Sequence, residues 1–235
     1  MDNVEGMTNH RSPLRPIGPV FWATHRWLWW GIGVFVLIGA LVLVWVPQGA
    51  DILWFSERRT AFWNVFFRYT TTVGEEAGFL VVFLVLLVLR RYRSALAVPF
   101  LALLVTLVTA VSKQLFRHPR PMAWFRAAGE EELLTLVDGV RVNVSQISSF
   151  PSGHTMAGFA LLVFFIFTVP LRRWSALLIF TLAILVGLSR VYLVQHFWKD
   201  IYLGGIMGIG CALLMYYGHL LIGPARRIAQ KKGSV

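Results

Sequence analysis

The stretch WLWWGIGVFVLIGALVLVWV, residues 27–46, contains no charged side chain. At about 1.5 Å of rise per residue, a helix of this length covers the ~30 Å hydrocarbon core of a bilayer. Tryptophans stand near both ends, Trp27 and Trp45 among them, as is typical of the two membrane interfaces. The stretch therefore predicts a membrane-spanning helix. The polar residues 1–26 before it, and the lack of a small-residue cleavage pattern after it, indicate a retained span rather than a signal peptide.

Further apolar stretches of the same character follow, at residues 70–89, 94–111, 155–169, 174–194 and 201–222. The fourth span is short at its apolar core, so we expect its helix to begin near Ser152. The chain of 235 residues is 57% hydrophobic and 14% charged, which is too apolar for a protein that faces water on all sides. The sequence predicts an all-α integral membrane protein with six transmembrane helices.

The net charge of +11 would suggest a polyanionic partner in a soluble protein, but its distribution indicates a membrane orientation instead. The leader, the turns after the second and fourth spans, and the tail hold 12 basic residues and 2 acidic ones, whereas the opposite side holds 10 and 9. The positive-inside rule then places both termini in the cytoplasm. We predict a cytoplasmic leader (1–26), a six-span domain (27–222) with an outer loop (112–150), a cytoplasmic tail (223–235), and no nucleic-acid partner.

The long outer connection is typical of functional loops. Within it, we expect a short amphipathic helix over residues 130–137, a turn at Asp138-Gly139, and a short strand over residues 140–144.

Three polar segments fall at the outer ends of the spans by this topology. They are KQLFRHPRP at residues 113–121, PSGH at residues 151–154, and SRVYLVQHFWKD at residues 189–200. Because they share one face of the membrane, we expect them to converge on a single site.

The residue types in these segments favour a phosphoryl group. Lys113, Arg120 and Arg190 supply three cations for its anionic oxygens. Ser152 and Gly153 open the fourth span, so that free backbone N–H groups and the helix dipole point at the same anion.

Two histidines and a carboxylate complete the predicted site. His196 and Asp200 are four residues apart, so on a helix the carboxylate can hold one ring nitrogen while the other attacks phosphorus. His154, from a separate helix, is left to protonate the departing oxygen. A zinc site is the rival interpretation, but three neighbouring cations would oppose a divalent ion. We expect neither a metal nor a cofactor.

The patterns K-x6-R-P, P-S-G-H and S-R-x5-H-x3-D resemble the three-part signature of the type 2 phosphatidic acid phosphatase superfamily. The resemblance implies that Lys113, Arg120, Ser152, Gly153 and Arg190 bind phosphate. It also implies that His196 is transiently phosphorylated, that Asp200 orients it, and that His154 acts as general acid and then as base, without a metal.

The expected function is that of a lipid phosphatase with its site on the outer face of the cytoplasmic membrane. Candidate substrates are undecaprenyl diphosphate, phosphatidylglycerol phosphate, phosphatidic acid and the phosphates of lipid A. A phosphotransferase with the same intermediate remains an alternative, and a non-catalytic transporter or scaffold is a further one.

Three other features lead to hypotheses about the bundle. The apolar run after Glu75 and Glu76 is too short to span a membrane, so one of them is expected to face the bundle and pair with a cation of the site. Gly204, Gly205 and Gly208 are expected to make close helix contacts within the bundle. Trp124 and Phe125, with residues 133–137, are expected to form the doorway for a lipid.

Overall fold

A computed structural model describes residues 19–232, and the side chains of residues 21–220; most of the basic leader, residues 1–18, lies outside the described residues. Within the described residues the chain is helical and contains no strand. The helices are α1 (Pro19–Thr24), α2 (Arg26–Trp45), α3 (Ala50–Ser56), α4 (Ala61–Thr70), α5 (Glu76–Val88), α6 (Tyr92–Phe116), α7 (Pro121–Ala128), α8 (Gly153–Thr168), α9 (Arg173–Tyr192) and α10 (Trp198–Lys232).

The helical stretches that could cross a membrane agree in part with the predicted six spans. Four are long and apolar enough: Arg26–Trp45, Tyr92–Ala128, Arg173–Tyr192 and Trp198–Leu220. A fifth candidate is the pair Ala61–Gly74 and Glu76–Val88, which is bent by 64° at its break. The chain is thus an all-helical protein with four or five candidate spans.

Helix α8 is the centre of the bundle. It packs against α5, α6, α9 and α10, and almost every residue from Thr155 to Thr168 is buried. Its 16 residues rise about 24 Å, less than the ~30 Å of a hydrocarbon core. Because neighbouring helices surround it, α8 does not need the length of a lipid-facing helix. As predicted for this segment, it begins next to Ser152, which is its N-cap.

The outer helices present apolar side chains to the surroundings of the protein. Leu37 and Val44 on α2, Leu80 on α5, and Leu96 and Leu103 on α6 are all exposed. A continuous apolar exterior of this kind is stable in hydrocarbon and costly in water. The outside of the bundle therefore agrees with a multi-pass membrane protein.

The segment predicted as a single second span is broken. A 3₁₀ turn over Thr71–Gly74 follows α4, and Glu75 has extended backbone (φ −110°, ψ −179°) before α5 begins. A Cβ atom on Gly74 would lie 2.4 Å from the carbonyl oxygen of His154, so the turn is in direct contact with the start of α8. The break thus carries the chain toward the polar end of α8.

The outer loop differs from its prediction. The helix expected over residues 130–137 is only a 3₁₀ turn over Glu131–Leu133, because Leu134 and Val137 pack into two separate apolar clusters. The strand expected over residues 140–144 is absent from the described residues, and the carbonyl of Arg141 accepts from the Gln195 side chain instead. The turn at Asp138-Gly139 is confirmed, with Gly139 at φ +72°.

Helix α7 was not predicted, although its sequence carries a start and a stop signal. Pro121 occupies its first turn, where the missing N–H costs nothing, and Gly129 ends it in the left-handed conformation at φ +73°. Phe125 of α7 is 1% exposed and packs in an apolar cluster with Ile52 and Leu134. It is therefore a core residue rather than part of a lipid doorway.

Candidate active site

The three polar segments of the sequence meet at one end of the bundle. The backbone N–H of Ser152 donates to the carbonyl of Asp200 (3.1 Å), which joins the start of α8 to the first turn of α10. The N–H of Ser149 donates to the carbonyl of His118 (3.0 Å), which joins the same segment to the end of α6. The predicted convergence is therefore present in the structure.

The turn between α9 and α10 presents His196. Helix α9 ends at Tyr192, and Val194 then adopts the left-handed conformation (φ +57°). The N–H of Gln195 donates to the carbonyl of Arg190 (2.8 Å) and that of Val194 to the carbonyl of Val191 (3.0 Å), which is the Schellman pattern. Glycine usually occupies this position, so the local sequence gave little sign of the turn.

His196 and Asp200 form a buried pair. Nδ1 of His196 lies 3.4 Å from Oδ2 of Asp200, and the two residues are 1% and 0% exposed. The same carboxylate oxygen accepts from the Ser149 hydroxyl (2.5 Å) and from the N–H of Phe197 (3.0 Å). The carboxylate is thus fixed by groups from two segments, and it faces one nitrogen of the ring.

Burial lowers the pKa of His196 from its ordinary value of 6.5 to about 4, although Asp200 acts in the opposite direction. Arg120 and Arg190 also disfavour a charged ring. At neutral pH the imidazole of His196 is therefore unprotonated, as a nucleophile must be.

Three cations surround this pair. Lys113, Arg120 and Arg190 are close enough to influence one another electrostatically, and Arg120 and Arg190 are 7% and 8% exposed. None of the three forms a salt bridge with a carboxylate in the described part of the chain. Buried charge without a counterion is costly, so an anion fits this position.

Neutral groups hold the two arginines in place. Arg120 donates to the hydroxyl of Ser148 (3.3 Å) and to both oxygens of Gln195 (3.2 and 3.3 Å). Arg190 donates to the hydroxyl of Thr71 (2.6 Å), and its buried Nε has no partner among the described residues. The guanidinium groups are thereby oriented while their charge remains unneutralised.

The N-terminus of α8 adjoins the cations. The hydroxyl oxygen of Ser152 accepts from the N–H of Thr155 (3.4 Å) and from its hydroxyl (2.9 Å). The Ser152 hydroxyl proton is still available for donation, since a hydroxyl has one donor and two acceptor positions. Gly153 and His154 form the first turn of α8, where backbone N–H groups lack helical partners.

His154 contacts Glu75, which lies at the break between α4 and α5. Nε2 of His154 is 3.1 Å from Oε1 of Glu75, and each side chain is 36% exposed. One of the two glutamates thus faces the site, as expected, but its partner is His154 and not one of the cations Lys113, Arg120 and Arg190. Glu76 is exposed and forms no ion pair among the described residues.

A cavity of about 720 Å³ extends from this site between α5, α6 and α8. Its polar end contains Lys113, His154 and Glu75, and its walls include Phe79 and Val105. Trp124 and Phe125, expected at the doorway, do not line it. The opening that adjoins the site is therefore on the α5–α6 side of α8.

Sequence reasoning missed several polar residues that support the site. Ser149 contacts Asp200, Gln195 and Ser148 contact Arg120, and Thr71 contacts Arg190. Asp51, on α3, accepts from the N–H of Trp198 (2.6 Å) at the start of α10, and burial raises the pKa of its carboxyl group. Ser148, Ser149 and Gln195 adjoin the predicted motifs, which is a usable signal, whereas Thr71 and Asp51 are distant in sequence.

Across residues 19–232, the side chains of His, Cys, Asp and Glu do not form a group of three or more that could hold a metal ion.

The bundle places a cluster of cations beside a buried histidine–aspartate pair at one end of a membrane-type helical fold, and two solved structures share this fold. LpxE from Aquifex aeolicus is 22% identical, with a TM-score of 0.56 over 70% of this chain and 91% of that chain. A transmembrane PAP2-type phosphatidylglycerolphosphate phosphatase from Bacillus subtilis is 20% identical, with a TM-score of 0.54 over 83% and 94%. At these identities the likeness establishes the fold.

Sequence comparison establishes the family. The family model described as the PAP2 superfamily matches residues 94–222, which is more than half of the chain and includes all three polar segments. The chain belongs to the PAP2 superfamily, as the resemblance of its motifs predicted. No curated protein matches the chain in sequence.

Proposed function

We propose that this protein is a membrane lipid phosphatase that removes a terminal phosphate or diphosphate group from an envelope or carrier lipid. One observation carries the proposal: Lys113, Arg120 and Arg190 surround the buried His196–Asp200 pair, and no carboxylate forms a salt bridge with them among the described residues. A phosphoryl group supplies the missing negative charge and lies next to the nucleophile.

The proposed reaction has two steps. Neutral His196 faces Asp200 with Nδ1, so Nε2 attacks phosphorus, and the bond between phosphorus and the leaving oxygen breaks. His154, which the negative charge of the bound phosphoryl group favours in its protonated form, gives its proton to that oxygen. Water then attacks the phosphohistidine, His154 takes a proton from the water, and phosphate leaves with regeneration of His196.

The positions of the other residues around His196 support their proposed roles in substrate binding. Lys113, Arg120 and Arg190 bind the phosphoryl oxygens, together with the Ser152 hydroxyl and the backbone of Gly153 at the start of α8. The cavity walls between α5, α6 and α8 take the apolar part of the lipid. Catalysis proceeds without a metal, because the cations already neutralise the charge that develops on the phosphoryl group.

The proposed location is the cytoplasmic membrane, with both termini in the cytoplasm and the site on the outer face. The distribution of basic residues between the two sides of the predicted spans supports this orientation. The candidate lipids are undecaprenyl diphosphate, phosphatidylglycerol phosphate, phosphatidic acid and the phosphates of lipid A.

A panel of these lipids tests the function. Purified protein in detergent is given one lipid at a time in the presence of EDTA, and released phosphate is measured against a His196→Ala blank. We expect phosphate release from at least one lipid, unaffected by EDTA and absent in the blank. Phosphate transfer to a second lipid without free phosphate would instead indicate the phosphotransferase. No turnover of any lipid would leave the non-catalytic interpretation.

A further inference from the structure

The position of Glu75 results from the break in the helix before α5. The 3₁₀ turn over Thr71–Gly74 packs so closely on α8 that a Cβ atom on Gly74 would lie 2.4 Å from the carbonyl oxygen of His154. The next residue, Glu75, has extended backbone, so it is outside both helices. Its side chain is directed to the first turn of α8, where Oε1 lies 3.1 Å from Nε2 of His154.

The groups around His154 make its contact with Glu75 important for the charge of the imidazole ring. Burial lowers the pKa of His154 from its ordinary value of 6.5 to about 3, and Arg190 on α9, His196 before α10, Arg120 before α7 and Lys113 on α6 act in the same direction. Each of them opposes a positive charge on the imidazole. Glu75 is the carboxylate in contact with the ring, and it also has a favourable electrostatic interaction with Arg190.

We propose that Glu75 is the positioning residue of the acid–base histidine, an inference that rests on the proposed phosphatase function. Glu75 holds one ring nitrogen of His154, so the other nitrogen is left to exchange a proton with the leaving oxygen and then with water. The Glu75 carboxylate stabilises the protonated ring in the first step, as a triad carboxylate does. The site then contains two histidine–carboxylate pairs, one for the nucleophile and one for the acid.

This role explains how a carboxylate can lie beside a phosphate site. An unpaired carboxylate would repel the substrate, since like charges in contact are unfavourable. Paired with a protonated His154, Glu75 adds no net charge, and the three cations remain available to the phosphoryl oxygens. The carboxylate and the acid are therefore useful to catalysis only as a pair.

The test compares Glu75→Gln with the matched control Glu132→Gln, because Glu132 is exposed, does not line the cavity and forms no ion pair among the described residues. We expect Glu75→Gln to lower kcat on a lipid phosphate by about ten- to a hundredfold, which is less than the roughly 10²–10⁴-fold effect of general acid–base catalysis because His154 itself is retained. The alkaline limb of its pH profile should move to lower pH, because the protonated ring loses its partner. Glu75→Asp should restore part of kcat and part of the shift of the alkaline limb, and Glu132→Gln should match the wild type.

A second readout separates this role from a structural one. An aryl phosphate with a good leaving group needs no proton donor, so its first turnover should be nearly unchanged in Glu75→Gln. Should Glu75→Gln fail to fold, Glu75→Asp is measured in the same two assays. We expect it to lower kcat on the lipid phosphate and to shift the alkaline limb in the same directions as Glu75→Gln, but by less. Wild-type rates and an unshifted alkaline limb in the Glu75 variants, with His196→Ala inactive, would overturn the proposal alone. A wild type that releases no phosphate from any lipid would overturn the proposed function and this inference with it.

Discussion

At His196, burial and the pairing with Asp200 shift the pKa of the imidazole in opposite directions. Removal from water favours the neutral ring, whereas the nearby Asp200 carboxylate favours the protonated one. Burial prevails, and it lowers the pKa of His196 from 6.5 to about 4. The proposed nucleophile is therefore unprotonated at about pH 6 and above, where a lipid phosphate gains its second negative charge.

This balance predicts a pH-dependent stability. Between pH 6.5 and 4, the unfolded chain binds a proton at His196 and the folded chain does not. The free energy of unfolding should therefore fall as the pH is lowered through this window, by at most about 1.4 kcal/mol per unit. Thermal midpoints of wild type and His196→Gln, measured in one detergent from pH 7 to about 4, should differ in slope. Parallel curves would show that His196 has an ordinary pKa in the folded protein.

Most of the candidate site could be predicted from residue types and order. Lys113, Arg120, His154, His196 and Asp200 stand in short segments that the topology brings to one end of the bundle. Supporting contacts could not be predicted in this way, because a hydroxyl such as that of Thr71 acquires its role only by meeting Arg190 across the fold. Sequence spacing carries no information about a contact between residues 119 positions apart.

Between the helices, the most extensive packing is that of α10 on α8. A Cβ atom on Gly204 would lie 2.9 Å from the carbonyl oxygen of Ser152, and one on Gly208 would lie 2.5 Å from that of Met156. Gly205 faces Phe35 and Phe159. The expected close contacts within the bundle are thus confirmed, and they hold the first turn of α8 against the first turns of α10.

Replacement of Gly208 tests this packing. The obstructing atom belongs to the backbone of α8, so Gly208→Ala should separate the two helices and cost about 1–3 kcal/mol, as overpacking does. We also expect lower activity, since α8 carries His154. Gly210→Ala is the matched control, because no atom lies within 4 Å of the added carbon. Equal thermal midpoints for the two variants in detergent would contradict the close contact.

The second predicted span illustrates why element boundaries were less predictable than elements. Residues 70–89 read as one apolar run, but the polar pair Glu75-Glu76 lies inside it. In the structure, the segment is bent by 64° at this pair, and the helical part before the bend begins at Ala61, the first residue of α4. Hydropathy registers the apolar residues, whereas the bend depends on the contact between Gly74 and α8, which is a property of the folded bundle.

For the molecule as a whole, charge has two separate roles. The basic residues predicted on the cytoplasmic side outnumber the acidic ones by 12 to 2, and their proposed role is to set the orientation. The proposed role of the three cations of the site is local, namely to bind one anion. A single net charge of +11 therefore describes neither role.

Cysteine labelling tests the orientation. In a Cys211→Ala background, which removes the single cysteine of the chain, Gln146→Cys and Arg91→Cys each place one exposed thiol at opposite ends of the bundle. A membrane-impermeant maleimide added to intact cells should label Gln146→Cys and should reach Arg91→Cys only after lysis. The reverse pattern would place the site on the cytoplasmic side.

The most direct test of the central claim is covalent labelling of the protein by a lipid carrying radioactive phosphate, quenched rapidly in alkaline denaturant. A phosphohistidine survives alkali and is lost in acid, so we predict an alkali-stable, acid-labile label on the wild type that maps to His196 and is absent from His196→Ala. Phosphate release without any labelled protein, or release that persists in His196→Ala, would contradict the account.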